Sequence, residues 1–137
     1  MKRRNITITI VLLALFTAII LWRLTDANPL ESLKPEEIRE ITISSPGEFF
    51  TITEANDIEL LFSALQSMKL RRSLSSNKDG FAFLIDIDLE SGERIQMSVL
   101  SEDIHIDGRN YRPKADPSED IRRVFDRLAK EYEVNPS

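Results

Sequence analysis

From Asn5 to Trp22 the chain runs 18 residues without a charge, most of them Ile, Leu, Val and Ala. Coiled into a helix, this run is about 27 Å long, enough to cross a hydrocarbon core of about 30 Å. A soluble helix of this length carries a polar face, and this one has none. Lys2, Arg3 and Arg4 stand directly before it, and basic residues mark the flank that stays in the cytoplasm. Trp22 and Arg23 close it as an interfacial aromatic and a snorkelling cation. The expectation is a single-pass anchor over residues 5–23, with Ile6 to Trp22 in the membrane. A cytoplasmic basic start at 1–4 precedes it, and an extracytoplasmic domain follows. A secretory signal peptide has a shorter apolar core, about 7–15 residues, and a small-residue cleavage site. The best candidate cut, after Ala27 with Thr25 two places earlier, fits that rule poorly, so the uncleaved anchor is the favoured reading.

Charge separates the two parts. Of 18 Lys and Arg and 23 Asp and Glu, only Lys2, Arg3, Arg4 and Arg23 lie in the first 23 residues, so the remainder carries a formal charge of −9. That balance argues against nucleic acid, or anionic lipid over a broad face, since both need a basic footprint. Zero cysteines remove disulfides, thiolate catalysis and cysteine metal sites. The length left after the anchor suits one small domain, here set at residues 36–132, after a juxtamembrane linker at 24–35 and before a frayed tail at 133–137.

Periodicity supplies the elements. Residues 38–44 read as a strand. A turn at Ser45-Pro46-Gly47-Glu48, with proline presetting φ and glycine accepting a positive one, pairs Ile43 with Phe50 and Ile41 with Ile52. Thr53 reads as the cap of an amphipathic helix over 54–68, with Ile58, Leu61, Phe62, Leu65 and Met68 on one stripe. A short strand at 69–74 and a polar loop at 75–80 follow. In residues 81–90, Phe81, Phe83, Ile85, Ile87 and Leu89 alternate with Ala82, Leu84, Asp86, Asp88 and Glu90, a half-buried strand. A three-residue loop ending in Gly92 returns it through residues 93–100, setting Ile87 against Ile95, Ile85 against Met97, Phe83 against Val99 and Asp88 against Arg94. Asp107-Gly108 between two short runs predicts a second hairpin. Asp116 as cap, Pro117 at the first helical position and Glu119 as the capping-box partner open a final helix with Ile121, Val124, Phe125, Leu128 and Tyr132 inward. The order is β-β-α-β-β-β-β-β-α, an α+β domain. Both helices should cover the apolar face of an antiparallel sheet, leaving Asp86, Asp88, Arg94, Gln96 and Ser98 on the open face.

A basic start, one anchor, Lys-Pro-Glu-Glu-Ile-Arg-Glu-Ile-Thr-Ile, a Thr-led helix, a Phe-rich strand with Ser-Gly-Glu at its turn, and Ile-His-Ile-Asp-Gly-Arg-Asn-Tyr together resemble the small anchored extracytoplasmic proteins of unknown function found in Firmicutes. The resemblance spans residues 33–132. It is one of layout and implies an address and a fold, with no catalytic residue to carry over.

Asp86 and Asp88, with Glu90 beyond, could bind a hard cation or serve as acid and base; a solvated sheet face partly neutralised by Arg94 is the simpler reading. His105, the one histidine, reads as an exposed edge-strand residue. Every glycine is taken by a turn or loop end, so none is left for a phosphate cradle. Lys69, Arg71 and Arg72, with Lys78, form a basic cluster suited to an acidic partner or, more simply, a solvated strand end. The expectation is a non-catalytic, anchored binding or regulatory module, without cofactor or metal, that meets another envelope or membrane protein or a ligand through its open face or an edge strand. The alternative is a small envelope hydrolase or carboxylate-metal enzyme built on Asp86, Asp88 and His105. Ala14 and Ala18 give the anchor only a weak small-residue packing face of its own.

Overall fold

A computed structural model describes residues 2–24, 27–73, 82–100 and 102–136. In chain order the elements are α1 (Lys2–Leu24), β1 (Ile38–Ser45), β2 (Glu48–Ile52), α2 (Ala55–Gln66), β3 (Leu70–Arg72), β4 (Phe83–Leu89), β5 (Arg94–Val99), β6 (Ile104–Ile106), β7 (Arg109–Pro113), α3 (Ser118–Ala129) and β8 (Asn135–Pro136). One 3-10 turn at Pro35–Glu37 precedes β1. The loop expected at 75–80, together with Leu74 and Phe81, lies outside the described residues.

The fold is α+β: the described residues form eight strands in the order β3-β7-β6-β5-β4-β1-β2-β8, each antiparallel to its neighbour. Turn chemistry sets the hairpins. Gly47 and Gly92 take φ of +96° and +93°, and the registers that follow are those the alternation predicts: Ile43 opposite Phe50, Ile41 opposite Ile52, Ile87 opposite Ile95, Ile85 opposite Met97 and Phe83 opposite Val99. At the β6–β7 turn Asp107 and Gly108 both have positive φ, the pair of left-handed residues a two-residue hairpin loop demands.

Alternation cannot show which strands meet across the helices. β2 lies near one edge and β3 forms the other, so α2 must carry the chain across the sheet. After β7, α3 carries it back to β8. The two helices pack on each other, and both bury their stripes in the one core, Ile58, Leu61, Phe62 and Leu65 from α2, Ile121, Phe125 and Leu128 from α3. The Phe125 ring lies 5.0 Å from that of Phe50 and 5.7 Å from that of Phe83, tilted against both, the offset geometry aromatic quadrupoles favour. Both edge strands are short, which blunts them against pairing with another chain.

α1 takes no part in this core. Within Lys2–Trp22 an 18-residue window reaches a mean hydropathy of 2.3, and none of that window is buried against the rest of the protein. Thr7 and Thr9 turn their hydroxyls back onto the carbonyls of Arg3 and Asn5, both at 2.9 Å, so these two polar side chains bond within the helix.

Four details differ from the sequence reading. Residues 27–34, read as part of a linker, lie folded on the domain. Leu30 is 1 % exposed, and the Ala27 N–H donates to the Leu70 carbonyl at 2.9 Å. Asn28 Nδ2 donates to the carbonyls of Leu65, Gln66 and Met68 at 3.0–3.1 Å, closing the C-terminal end of α2, where helix geometry leaves carbonyls unpaired. Gln66 Nε2 returns the contact to the carbonyls of Leu30, Glu31 and Leu33. Second, Thr53 is not the cap of α2. Glu54 holds that position, without a side-chain bond, and its N–H goes to the Tyr132 hydroxyl at 3.2 Å, a partner no local pattern reveals. Third, α3 starts one residue late, with Pro117 outside it, although Asp116 Oδ1 still accepts the Ser118 N–H at 2.9 Å. Fourth, the tail is not simply frayed: Asn135 and Pro136 pair with Phe49 and Glu48 of β2.

Candidate functional site

The helices cover one face of the sheet, and pairing lays the residues of the other face in rows. In one row Ser44, Leu84, Ser98, His105 and Asn110 stand side by side on β1, β4, β5, β6 and β7. In the next stand Thr51, Thr42, Asp86 and Gln96, and beyond it Glu40, Asp88 and Arg94. Neighbours within a row are about 5 Å apart, one strand spacing. The five residues expected on the open face therefore do share it.

Their environments differ. Asp88 is not open to solvent. It is 5 % exposed, because Arg94 lies over it with Nε 2.6 Å from Oδ1 and Nη2 3.2 Å from Oδ2. This two-point geometry is the strong form of an arginine–carboxylate pair. The Arg94 hydrogen bond holds the Asp88 carboxyl below its ordinary range, and Asp88 in turn raises Arg94. A carboxyl held in its charged form is poorly placed to give up a proton as an acid. Asp86 receives only a distant approach from Arg94, 4.0 Å.

His105 is not on an edge, since β6 lies between β5 and β7. It is half-buried, and its Nδ1 bonds the Asn110 side-chain oxygen opposite. β5 separates its strand from that of Asp86, so the two backbones are about 10 Å apart. Among the described residues no three His, Asp or Glu side chains are placed to share a metal ion.

The middle of this face holds a shallow open depression of about 340 Å³ whose lining includes Ser44, Leu84, Asp86, Gln96, Ser98 and His105. Leu84 is the residue the sequence reading passed over. It is 40 % exposed and, among the described residues, the one large hydrophobic side chain outside α1 that stands open to water. A leucine at an outward position of the otherwise strictly alternating strand Phe83–Leu89 was the available signal. One exposed apolar side chain among hydroxyl, amide, imidazole and carboxylate groups suits contact with a surface of mixed polarity. Comparison with known proteins yields no match: no family model fits the chain, no curated protein resembles it, and no solved structure matches it.

Proposed function

We propose that this chain is a single-pass anchored module. On this reading α1 spans the membrane with its basic end in the cytoplasm, and the α+β head stands on the extracytoplasmic side. The head's open sheet face contacts an envelope protein or ligand without catalysing a reaction. The observation that carries the reading is α1 itself. Its large apolar side chains, from Ile20 at 40 % to Phe16 at 64 %, are exposed, while the head closes its core without them. A lipid bilayer supplies the missing apolar surroundings, and Lys2, Arg3 and Arg4 orient the span. The layout resemblance to anchored Firmicutes proteins of unknown function points the same way.

Leu84 and the polar groups around it support a binding role for the face, and a tether raises the effective concentration of such a face near other membrane proteins. The Arg94-bound state of Asp88 and the distance of His105 from Asp86 speak for binding over hydrolysis. Protease added to intact cells should remove the head while α1 is retained. A head that survives until lysis would overturn the placement. Photo-crosslinkers at Leu84 and Gln96 should trap a discrete partner that one at Glu59, on an exposed position of α2, does not. Free monomer alone at all three positions would overturn the binding role.

A further inference from the structure

The head is acidic overall, yet its charge is sorted. Residues 69–73 and 109–114 contribute Lys69, Arg71, Arg72, Arg109, Arg112 and Lys114 and no acid. The sheet brings these two segments together, because β3 pairs with β7 in a register that sets Arg71 opposite Arg112 and Arg72 opposite Tyr111. The Lys114 N–H donates to the Lys69 carbonyl at 2.9 Å, extending the pairing by one bond. All but Arg72 of the six are exposed. Glu102 and Asp116 border the patch at its Lys114 end. Everything else after residue 23 then carries a formal charge of −15.

This edge is also where the apolar helix arrives. The Arg72 guanidinium lies 4.7 Å over the Trp22 ring, and its Nη1 donates to the Trp22 carbonyl at 3.0 Å, a cation at the negative end of the helix dipole. A groove beside it is lined by Trp22, Arg72, Arg109, Asn110 and Tyr111. Covalent reach alone fixes the neighbourhood. Ala27 is bonded to Leu70 of β3, and five residue steps from Trp22 to Ala27 span at most about 18 Å.

We infer that the β3–β7 edge is a docking surface for the anionic phospholipid headgroups of the bilayer that α1 spans, with Arg71, Arg109 and Arg112 as its contact residues. The inference rests on the anchored reading. Charge complementarity and continuity with the end of the span select this occupant: a short-tethered basic edge lies within a Debye length, about 8–10 Å, of a headgroup layer over much of its permitted range. A head docked by one edge holds its sheet upright, so the face bearing Leu84 looks sideways along the membrane, toward other membrane proteins.

The test uses the full chain, labelled with a fluorophore at an Ala115→Cys substitution; there is no native cysteine to compete. It is reconstituted into vesicles of phosphatidylcholine alone or mixed with phosphatidylglycerol, each carrying a headgroup-attached quencher. Quenching should be stronger in the anionic vesicles, fall as salt rises, and lose its lipid dependence in the triple variant R71Q/R109Q/R112Q. A label at Asn135→Cys, on the opposite edge, should show no such preference. At roughly fivefold per cation, about 1 kcal/mol each, the triple variant loses on the order of a hundredfold in preference for the docked state. Equal quenching in both vesicles, or a preference that the triple variant keeps, overturns the inference while the chain still floats with the vesicles. A chain that fails to float even with neutral vesicles overturns the anchor and the inference with it. Equal quenching combined with a response of the label to soluble polyphosphate assigns the edge to free polyanions and likewise overturns the lipid reading.

Discussion

Replacing Asn28 with alanine should destabilise the whole head, although Asn28 lies in a stretch with the composition of a linker. Its Nδ2 carries two hydrogens and faces the carbonyls of Leu65, Gln66 and Met68 at 3.0–3.1 Å; its Oδ1 accepts the Leu30 N–H at 2.9 Å. Two donor bonds and one acceptor bond at about 1 kcal/mol each give roughly 3 kcal/mol. Water entering at the partly buried Gln66 and Met68 carbonyls recovers some of this, while detachment of the buried Leu30 side chain would add about 1.5–3 kcal/mol. For a domain of this size the central value lowers the melting temperature by roughly 10–15 °C. Asn28→Asp is the sharper variant. It keeps the size and the acceptor for Leu30, yet turns a carboxylate toward three carbonyls, so at neutral pH it should be at least as damaging as alanine and should recover partly on acidification. Thermal melts of the full chain in detergent, followed by circular dichroism, measure both. Melting of Asn28→Ala within about 2 °C of the parent, a change below ~0.5 kcal/mol, would show that residues 27–34 are a free tether that the Asn28 bonds do not hold.

Arg94→Met removes the guanidinium that holds both oxygens of the covered Asp88 carboxylate. Because the Arg94 side chain is 53 % exposed, solvent screens the pair, and a modest loss of stability is expected in urea titration. Because the native carboxyl of Asp88 is held below its ordinary value of 3.8, its contribution is present above that pH and lost as pH falls through the depressed native value; Arg94→Met should therefore flatten the acid limb of the stability profile. Tyr132→Phe removes a hydroxyl that donates to Asp57 Oδ2 at 2.7 Å and accepts the Glu54 N–H, for about 1–2 kcal/mol. Burial first, and then the Asp57 bond, raise the phenol above its ordinary value of 10.0. Its contribution is thus full below that pH and lost as pH rises through the raised native value, and Tyr132→Phe should flatten the alkaline limb. Phe125→Ala, emptying the space between Phe50 and Phe83, should cost about 3–5 kcal/mol in the same titration.

What the sequence discloses is what neighbours along the chain decide. A strand of period two can be registered against its hairpin partner because a slip by one residue turns every apolar side chain to the wrong face; Ile85 opposite Met97 and Ile43 opposite Phe50 follow from that alone. The turns are equally local, since Gly47, Gly92 and Gly108 stand where the backbone must take a positive φ. Pairings that span the chain have no such signature. Nothing in residues 38–45 names β4 as their second partner, and nothing in the cluster at Lys69 names β7. Asn28 shows the same limit for polar groups: its partners are the carbonyls at the end of a helix, and every sequence has carbonyls. Net charge misleads for a related reason. A total of −9 after residue 23 argues against an anionic surface only if the charges are mixed, and the fold does not mix them.

That sorting of charge bears on the reach of the head. A free linker over residues 24–35 would let the head move up to about 40 Å from the end of its anchor, and its open face would search a broad shell for a partner. With Ala27 bonded to Leu70, Asn28 closing the end of α2 and Arg72 stacked on Trp22, the reach from the span to the head is at most about 18 Å. A shorter tether gives a higher effective concentration only for a partner it can geometrically reach. On the anchored reading, the face bearing Leu84, Asp86, Gln96 and Ser98 is held low over the membrane. The partner that fits it is one that brings its own surface down to that height, such as the extracytoplasmic base of another membrane protein, in preference to a structure deeper in the envelope.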